Sequence, residues 1–257
     1  MTSPSVTAIH SRDNAFVKDL RRLAQDSAAY RKQGRVWLEG DHLCRAALER
    51  NQRPAVAVFS ESFWPLAQDQ WALAAIKTVV LSDALFTDIS ALESPARMGF
   101  VLDLAAPAAL NPLAATVVLD RVQDAGNVGS ILRSASAFGF RQVAAIKGSA
   151  ALWSPKVLRA GMGAHFGLDL VEGLDAQDLD TLQVPLLVTH VHEGDWLHRA
   201  TLPWPCAWVL GHEGQGVSPA LEQRAAQRIR IAQPGGEESL NVAAAAAICL
   251  HASGAAR

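Results

Sequence analysis

Runs that are apolar along nearly their whole length, rather than at alternate positions, dominate the second half of this 257-residue chain. Residues 116–120 (Thr-Val-Val-Leu-Asp), 143–146, 186–191 and 207–210 are of this kind. A strand with one face in water alternates apolar and polar side chains, so an unbroken run needs cover on both faces. A parallel sheet with helices above and below supplies that cover. The intervening segments suit it: residues 127–138 and 219–227 read as helices, Ser154-Pro155 opens another that runs to Ala160, and 229–231 forms a last strand. Ligands of such sheets sit beyond the carboxyl ends of the strands.

The last thirty residues narrow this further. Strand 229–231 stops at Pro234-Gly235-Gly236, and Ser239 or Asn241 is then placed to cap the orphan amides of a following helix over 242–250. That helix is almost wholly apolar, with alanine at every position from 243 to 247. Alanine favours helix, and its small side chain lets another backbone come close. A polar loop ending on such a helix suits a buried ligand seat.

The first half alternates strands and helices on a smaller scale. An amphipathic helix is expected over 14–29, with Phe16, Val17, Leu20 and Leu23 on one side and Lys18, Arg21 and Arg22 on the other. Strands follow at 35–39, 55–59, 78–81 and 99–104, with helices at 41–50 (from an acidic cap), 62–75 and 83–91. An uncharged Ala- and Pro-rich stretch separates the halves. The expected organisation is a small α/β module over 1–104, a linker over 105–113 and a larger α/β domain over 114–257.

Charge and cysteine usage bound the function. The net charge of −2 predicts no polyanion partner, but residues 1–53 hold ten Lys and Arg against six acids. That local excess is compatible with a phosphate-binding face and equally with a solvated one. Cys44, Cys206 and Cys249 lack CxxC spacing, which argues against a disulfide framework or a thiolate zinc site and for a reducing cytosol. Residues 1–10 are polar, unlike a secretion signal, and no run reaches the roughly 18 apolar residues of a membrane span. A soluble, cytoplasmic protein is expected.

Three loops after strand ends are rich in Gly and polar groups. In Asp124–Arg133, Asn127 sits at a helix start, and Gly129 and Arg133, four apart, share a helical face. In Gly211-His212-Glu213-Gly214-Gln215-Gly216, three glycines in six residues permit close backbone approach to a ligand, without the spacing of a dinucleotide or Walker loop. The third loop is Pro234–Asn241. Singly none is specific, and the first also reads as a capping Asn, a close-packing Gly and an exposed Arg.

Together and in this order, Asn127-x-Gly129-x-x-x-Arg133, Leu210-Gly211-His212-Glu213-Gly214-x-Gly216 and Pro234-Gly235-Gly236-x-Glu238-Ser239-Leu240-Asn241-Val242 resemble the SpoU/TrmH-type RNA ribose 2′-O-methyltransferases of the SPOUT superfamily. Asn14-x-x-x-Lys18-x-Leu20-Arg21-x-Leu23 and Leu38-Glu39-Gly40 resemble, more loosely, that family's substrate-binding module. The resemblance implies a SPOUT α/β domain with a parallel sheet and a deep C-terminal trefoil knot, preceded by a small α/β RNA substrate-binding domain. It implies S-adenosylmethionine as cofactor, contacted by Leu210, Gly211, Gly214, Ile231 and Leu240, and a homodimer with a shared active site. Asn127, Arg133, Glu213, Ser239 and Asn241 would line the catalytic side. His212 and Gly161 depart from the residues usual in the family.

The implied substrate is structured RNA, ribosomal RNA ahead of transfer RNA, with a resistance-conferring ribosome methylase as a variant. A non-catalytic RNA-binding or ribosome-assembly protein on the same scaffold is the alternative from another class. The expected chemistry needs no metal: charge separation falls as the hydroxyl attacks a sulfonium methyl, and a dry, preorganised pocket favours that. Arg133 would stabilise developing negative charge on the 2′-oxygen and orient the ribose. Alternation puts His190 and His192 on one strand face, with His198 nearby in sequence, but no third metal ligand is fixed, and a solvated loop over the nucleotide pocket is the reading preferred. Trp153, Trp196, Trp204 and Trp208 read as core or dimer contacts ahead of base-stacking platforms.

Overall fold

A computed structural model of the chain describes residues 6–71, 73–106, 108–236 and 239–255. Glu238 of the third motif and Pro107 of the expected linker lie outside the described residues. In chain order the first half forms β1 (Val6–Ile9), α1 (Ala15–Gln25), α2 (Ala29–Gln33), β2 (Arg35–Glu39), α3 (Asp41–Glu49), β3 (Val56–Ser60), α4 (Trp64–Trp71), β4 (Lys77–Leu81), α5 (Asp83–Ile89) and β5 (Met98–Asp103). The second half forms β6 (Thr116–Asp120), α6 (Ala125–Ala137), β7 (Gln142–Ile146), α7 (Pro155–Gly161), β8 (Asp169–Leu174), β9 (Leu186–Thr189), β10 (Asp195–Trp196), β11 (Ala207–Gly211), α8 (Pro219–Glu222), β12 (Gln227–Arg230) and α9 (Val242–Ala255). The chain divides into two units, Met1–Ala106 with Trp153–Phe166, and Pro107–Leu152 with Gly167–Arg257.

The first unit is built on a five-stranded sheet of order β1-β4-β3-β5-β2. Strands β1 and β3 run parallel to β4, and β5 runs antiparallel to both β3 and β2. Asn14 starts α1 by accepting the Phe16 N–H on Oδ1 at 2.9 Å, and the helix buries Val17, Leu20, Leu23 and Ala24 along one stripe. It stops at Gln25, short of the expected residue 29, because the Asp26 carboxylate takes the Ala28 N–H at 2.8 Å and turns the chain into α2. Helix α3 follows Gly40 with no side-chain cap, and Asp41 serves only as an acid in its first turn. Helix α7 belongs to this unit. A Cβ on Gly163, whose φ is +85°, would meet the Ala46 Cβ of α3 at 2.4 Å, so the segment after α7 is seated on α3 by the absence of a side chain.

The second unit is a seven-stranded sheet of order β10-β12-β9-β11-β6-β7-β8, parallel at every pairing. The doubly covered parallel sheet expected from the unbroken apolar runs is what forms. Strands β6, β7 and β11 are buried at every position, and Val118, Ala144, Val188, Val209 and Leu221 share one core cluster. Several elements differ from expectation, the unexpected two-residue strand β10 among them. Strand β8 was not anticipated, and the helix expected over 219–227 is the single turn α8, because residues 227–230 extend into β12 beside β9.

Helix α9 packs against α6 and against β11. A Cβ at Gly254 would lie 2.6 Å from the Phe138 carbonyl oxygen, which measures how closely the two helices approach. Trp208 is fully buried and donates from Nε1 to the Ser253 hydroxyl at 2.8 Å, so it is a core residue. The three cysteines are buried thiols. Burial pushes Cys206 up to about 11 and Cys249 up to about 12, so both serve as small packing groups.

Candidate functional site

The register of the second sheet fixes where its loops go. Gly211 pairs with Asp120, and Thr189 pairs with Ile229. Because β6, β11, β9 and β12 are parallel, their carboxyl ends finish along one edge, and the segments 121–124, 211–217, 190–194 and 231–241 leave from it together. Along this edge lies a cavity of about 600 Å³ lined by parts of the last three. Its walls include Gly211, Glu213, Gly214, Ile231, Ser239, Leu240 and Asn241.

The first loop turns into α6 on an acidic cap. Asp124 accepts the Asn127 N–H on Oδ1 at 2.7 Å, so Asp124 caps the helix and Asn127 occupies its first turn. That corrects the expectation that the helix opens at Asn127. The cap leaves the Asn127 side chain available. Its Nδ2 donates to Glu213 Oε1 at 3.2 Å, and its Oδ1 accepts from Asn241 Nδ2 at 2.9 Å. Asn241 Oδ1 accepts the N–H groups of Ala243 and Ala244 at 2.9 and 3.3 Å, so of the two candidate caps for α9 it is Asn241 that serves.

Glu213 also receives the backbone N–H groups of Gln123 and Asp124 at 3.2 and 3.1 Å. Burial pushes its carboxyl upward. Hydrogen bonds from the Asp124 N–H, its own backbone, the Asn127 amide and the Gln123 N–H outweigh that and hold it below the usual carboxylate value. Residues 127, 213 and 241, each from a different motif, therefore form one hydrogen-bonded line.

The second loop is a tight reversal. His212 and Gly216 exchange backbone hydrogen bonds at 3.0 and 2.9 Å, and His212 Nδ1 accepts the Gly214 N–H at 3.0 Å. A Cβ on Gly211 would meet Gly216 C and Val217 N at 2.2 Å, so only glycine permits this closure.

Four residues that shape the loop had no role assigned from sequence. Asp120, 1 % exposed, accepts the Ser218 N–H at 2.5 Å and Arg121 Nε at 3.0 Å, and Arg121 in turn donates to Gln215 Oε1 at 2.9 Å. The readable signal was an acid closing an otherwise apolar strand. A carboxylate buried there needs donors, and the neighbouring loop provides them.

A model of the SpoU rRNA Methylase family matches residues 114–251, and one of the MRM3-like substrate binding domain matches residues 14–98. The chain belongs to the SpoU rRNA methylase family. It is 28% identical over 251 residues to the 23S rRNA (guanosine(2553)-2'-O)-methyltransferase RlmP of Bacillus subtilis, covering 95% of this chain and 97% of that protein. A TrmH-family structure from Porphyromonas gingivalis superposes with a TM-score of 0.80 at 32% identity, covering 93% of this chain and 97% of that one. The AdoMet-bound rRNA methyltransferase of Sinorhizobium meliloti shares the fold, with a TM-score of 0.82 at 24% identity over 96% of this chain and 97% of that one.

Within this SpoU-family chain, Ser239, Gly211, Gly214, Ile231 and Leu240 line the cavity, as do Glu213 and Asn241. Leu210 does not: it is fully buried in β11 and supports the loop from the core. Arg133 lies six residues beyond Asn127 on α6, about 9 Å along the helix axis. It is exposed and makes no side-chain hydrogen bond or ion pair with any described residue. His190 and His192 stand beyond the end of β9, and no group of three or more His, Cys, Asp or Glu among the described residues could hold a metal. No described helix is long and apolar enough to cross a membrane.

Proposed function

We propose that this chain is an S-adenosylmethionine-dependent methyltransferase acting on a ribose 2′-oxygen of ribosomal RNA. The observation that carries the reading is the line Asn241–Asn127–Glu213 at the rim of a glycine-walled cavity. The cavity fits the cofactor on three counts. Its volume of about 600 Å³ lies in the range of small-ligand sites. Ile231, Leu240 and Val242 offer apolar wall to an adenine, and Gly211 leaves room for nothing but backbone. The carboxylates of Glu213 and Glu222 suit a cationic ligand.

S-adenosylmethionine, when bound, supplies an electrophilic methyl group on a sulfonium. Gly211, Gly214, Ile231 and Leu240 hold it, with Leu210 as the packed floor of the loop. Ser239 lines the cavity where the methionine moiety would sit, Asn241 ties the third loop to Asn127, and Asn127 and Glu213 join it to the second. Arg133, unpaired among the described residues, donates to the 2′-oxygen or its neighbouring phosphate and stabilises developing negative charge there. An arginine does not ordinarily give up its proton, which favours this electrostatic role over that of a base.

Residues 1–104 act as the RNA-docking domain, joined through 105–113 to the methyltransferase domain 114–257. The match to a substrate-binding family model and the local basic excess support this. Family membership also supports a homodimer, a C-terminal trefoil knot and a cytoplasmic setting. An Arg133 unpaired among the described residues suits a site shared between two copies. The test has two parts. Calorimetry with S-adenosylhomocysteine should give micromolar binding, and mapping 2′-O-methyl marks in total RNA from cells with and without the gene should show one ribosomal position losing its mark. Unchanged ribosomal RNA, or a lost mark in transfer RNA instead, overturns the substrate assignment.

A further inference from the structure

The segment between β9 and β10 forms one wall of the cavity, through His190, Val191 and His192, and it is held from two sides. Its amides are held by His190, whose Nδ1 accepts the N–H groups of His192 and Glu193 at 3.1 and 2.8 Å. Its carbonyls are held by Arg230, which donates to Gly194 O at 2.9 Å and His192 O at 3.0 Å and lies over the Trp196 ring at 4.0 Å. Gly194, at φ +109°, is pressed so close that a Cβ would meet the Arg228 carbonyl oxygen at 2.2 Å. A loop so restrained is shaped before any ligand arrives.

His190 also ties this wall to the neighbouring helix. With Nδ1 accepting two hydrogen bonds, its proton sits on Nε2, which lies 3.2 Å from Glu222 Oε1 on α8. Arg228 Nε, on β12, is 3.9 Å from the same oxygen, and the His192 ring stands 6.3 Å away on the loop itself.

We infer that His190 is a positioning residue for the cofactor: by accepting two loop amides on Nδ1 it holds the 190–192 wall of the cavity in its binding shape. This rests on reading the cavity as the S-adenosylmethionine site. His190 touches no reacting atom in this account. It acts by removing the need to order the loop on binding.

The test uses the full chain and S-adenosylhomocysteine as the calorimetric probe. His190→Ala should weaken binding by about tenfold and raise the KM for S-adenosylmethionine, with kcat at saturation unchanged. His190→Asn keeps an acceptor that reaches the amides two and three residues on, as in an Asx turn, and should restore binding to within about threefold of wild type. If His190→Ala does not fold, His190→Leu, which fills the space without an acceptor, takes its place. A His190→Ala or His190→Leu variant that binds as tightly as wild type, or a His190→Asn variant as weak as His190→Ala, overturns the inference. A wild-type protein that binds no S-adenosylhomocysteine removes the cofactor reading and this inference with it, a result distinct from binding that ignores position 190.

Discussion

Glu213 shows how a loop carboxylate is kept ionised by position alone, and its titration is the most direct handle on the site. Its folded-state value lies below the ordinary 4.5, so its contribution to stability is fully present above that value and is lost as pH falls through the lower folded one. Thermal melts should therefore show wild type losing more stability than Glu213→Gln between about pH 6 and about pH 3; parallel curves would mean that the hydrogen bonds do not distinguish the two charge states. Asn241 has two separable duties, capping α9 with its oxygen and donating to Asn127 with its nitrogen. Asn241→Ala should cost about 1 kcal/mol in denaturant unfolding through the lost cap. Asn241→Asp should keep the cap yet lose methyl transfer, since it sets a carboxylate against Asn127 Oδ1. Arg133→Ala should leave S-adenosylhomocysteine binding intact in calorimetry and abolish turnover, a loss of 10²-fold or more being the usual scale for one electrostatic donor, roughly. Near-normal turnover would take Arg133 out of the mechanism.

Among the elements, α9 is the one whose packing makes the sharpest forecast. Ser253→Ala strands the buried Trp208 N–H, which should destabilise the fold by about 1–3 kcal/mol in denaturant titrations. Gly211→Ala forces a Cβ onto the backbone of Gly216 and Val217, so S-adenosylhomocysteine binding should be lost in calorimetry. How legible the elements were depended on how much of their cause is local. Strands β6, β7 and β11 announce themselves because burial on both faces selects apolar side chains at each position. Strand β1 carries no such mark: its pattern is nearly all exposed, and only parallel pairing with β4 makes it a strand. Strand β8 pairs across a register shift between Ala145 and Ile146, which breaks any simple period. The glycine loops and the cap of α9 were legible as motifs, whereas Asp120 and Arg121 act through partners some 95 residues away, Arg121 on Gln215 and Asp120 on Ser218, and no local pattern encodes that. Likewise His190 reads as one more exposed histidine until its two amide donors are seen.

At the scale of the molecule, the division into units does not follow the chain's halves. Residues 153–166 group with the first unit, although the SpoU family match runs through them. Within that unit Val157 and Leu158 are buried and Gly163 rests on Ala46. A fragment spanning 114–257 should therefore melt below the full chain, by about 2–4 °C for each kcal/mol of burial it forgoes; an equal Tm would mean that α7 finds its cover elsewhere. The line from Asn241 through Asn127 to Glu213 joins positions 86 and 114 residues apart. During translation, then, every residue through 241 must have left the ribosome before these three side chains coexist. Nascent or stalled chains ending before residue 239 lack the last wall, and a cell making them gains no immature catalyst, only finished molecules or inert ones.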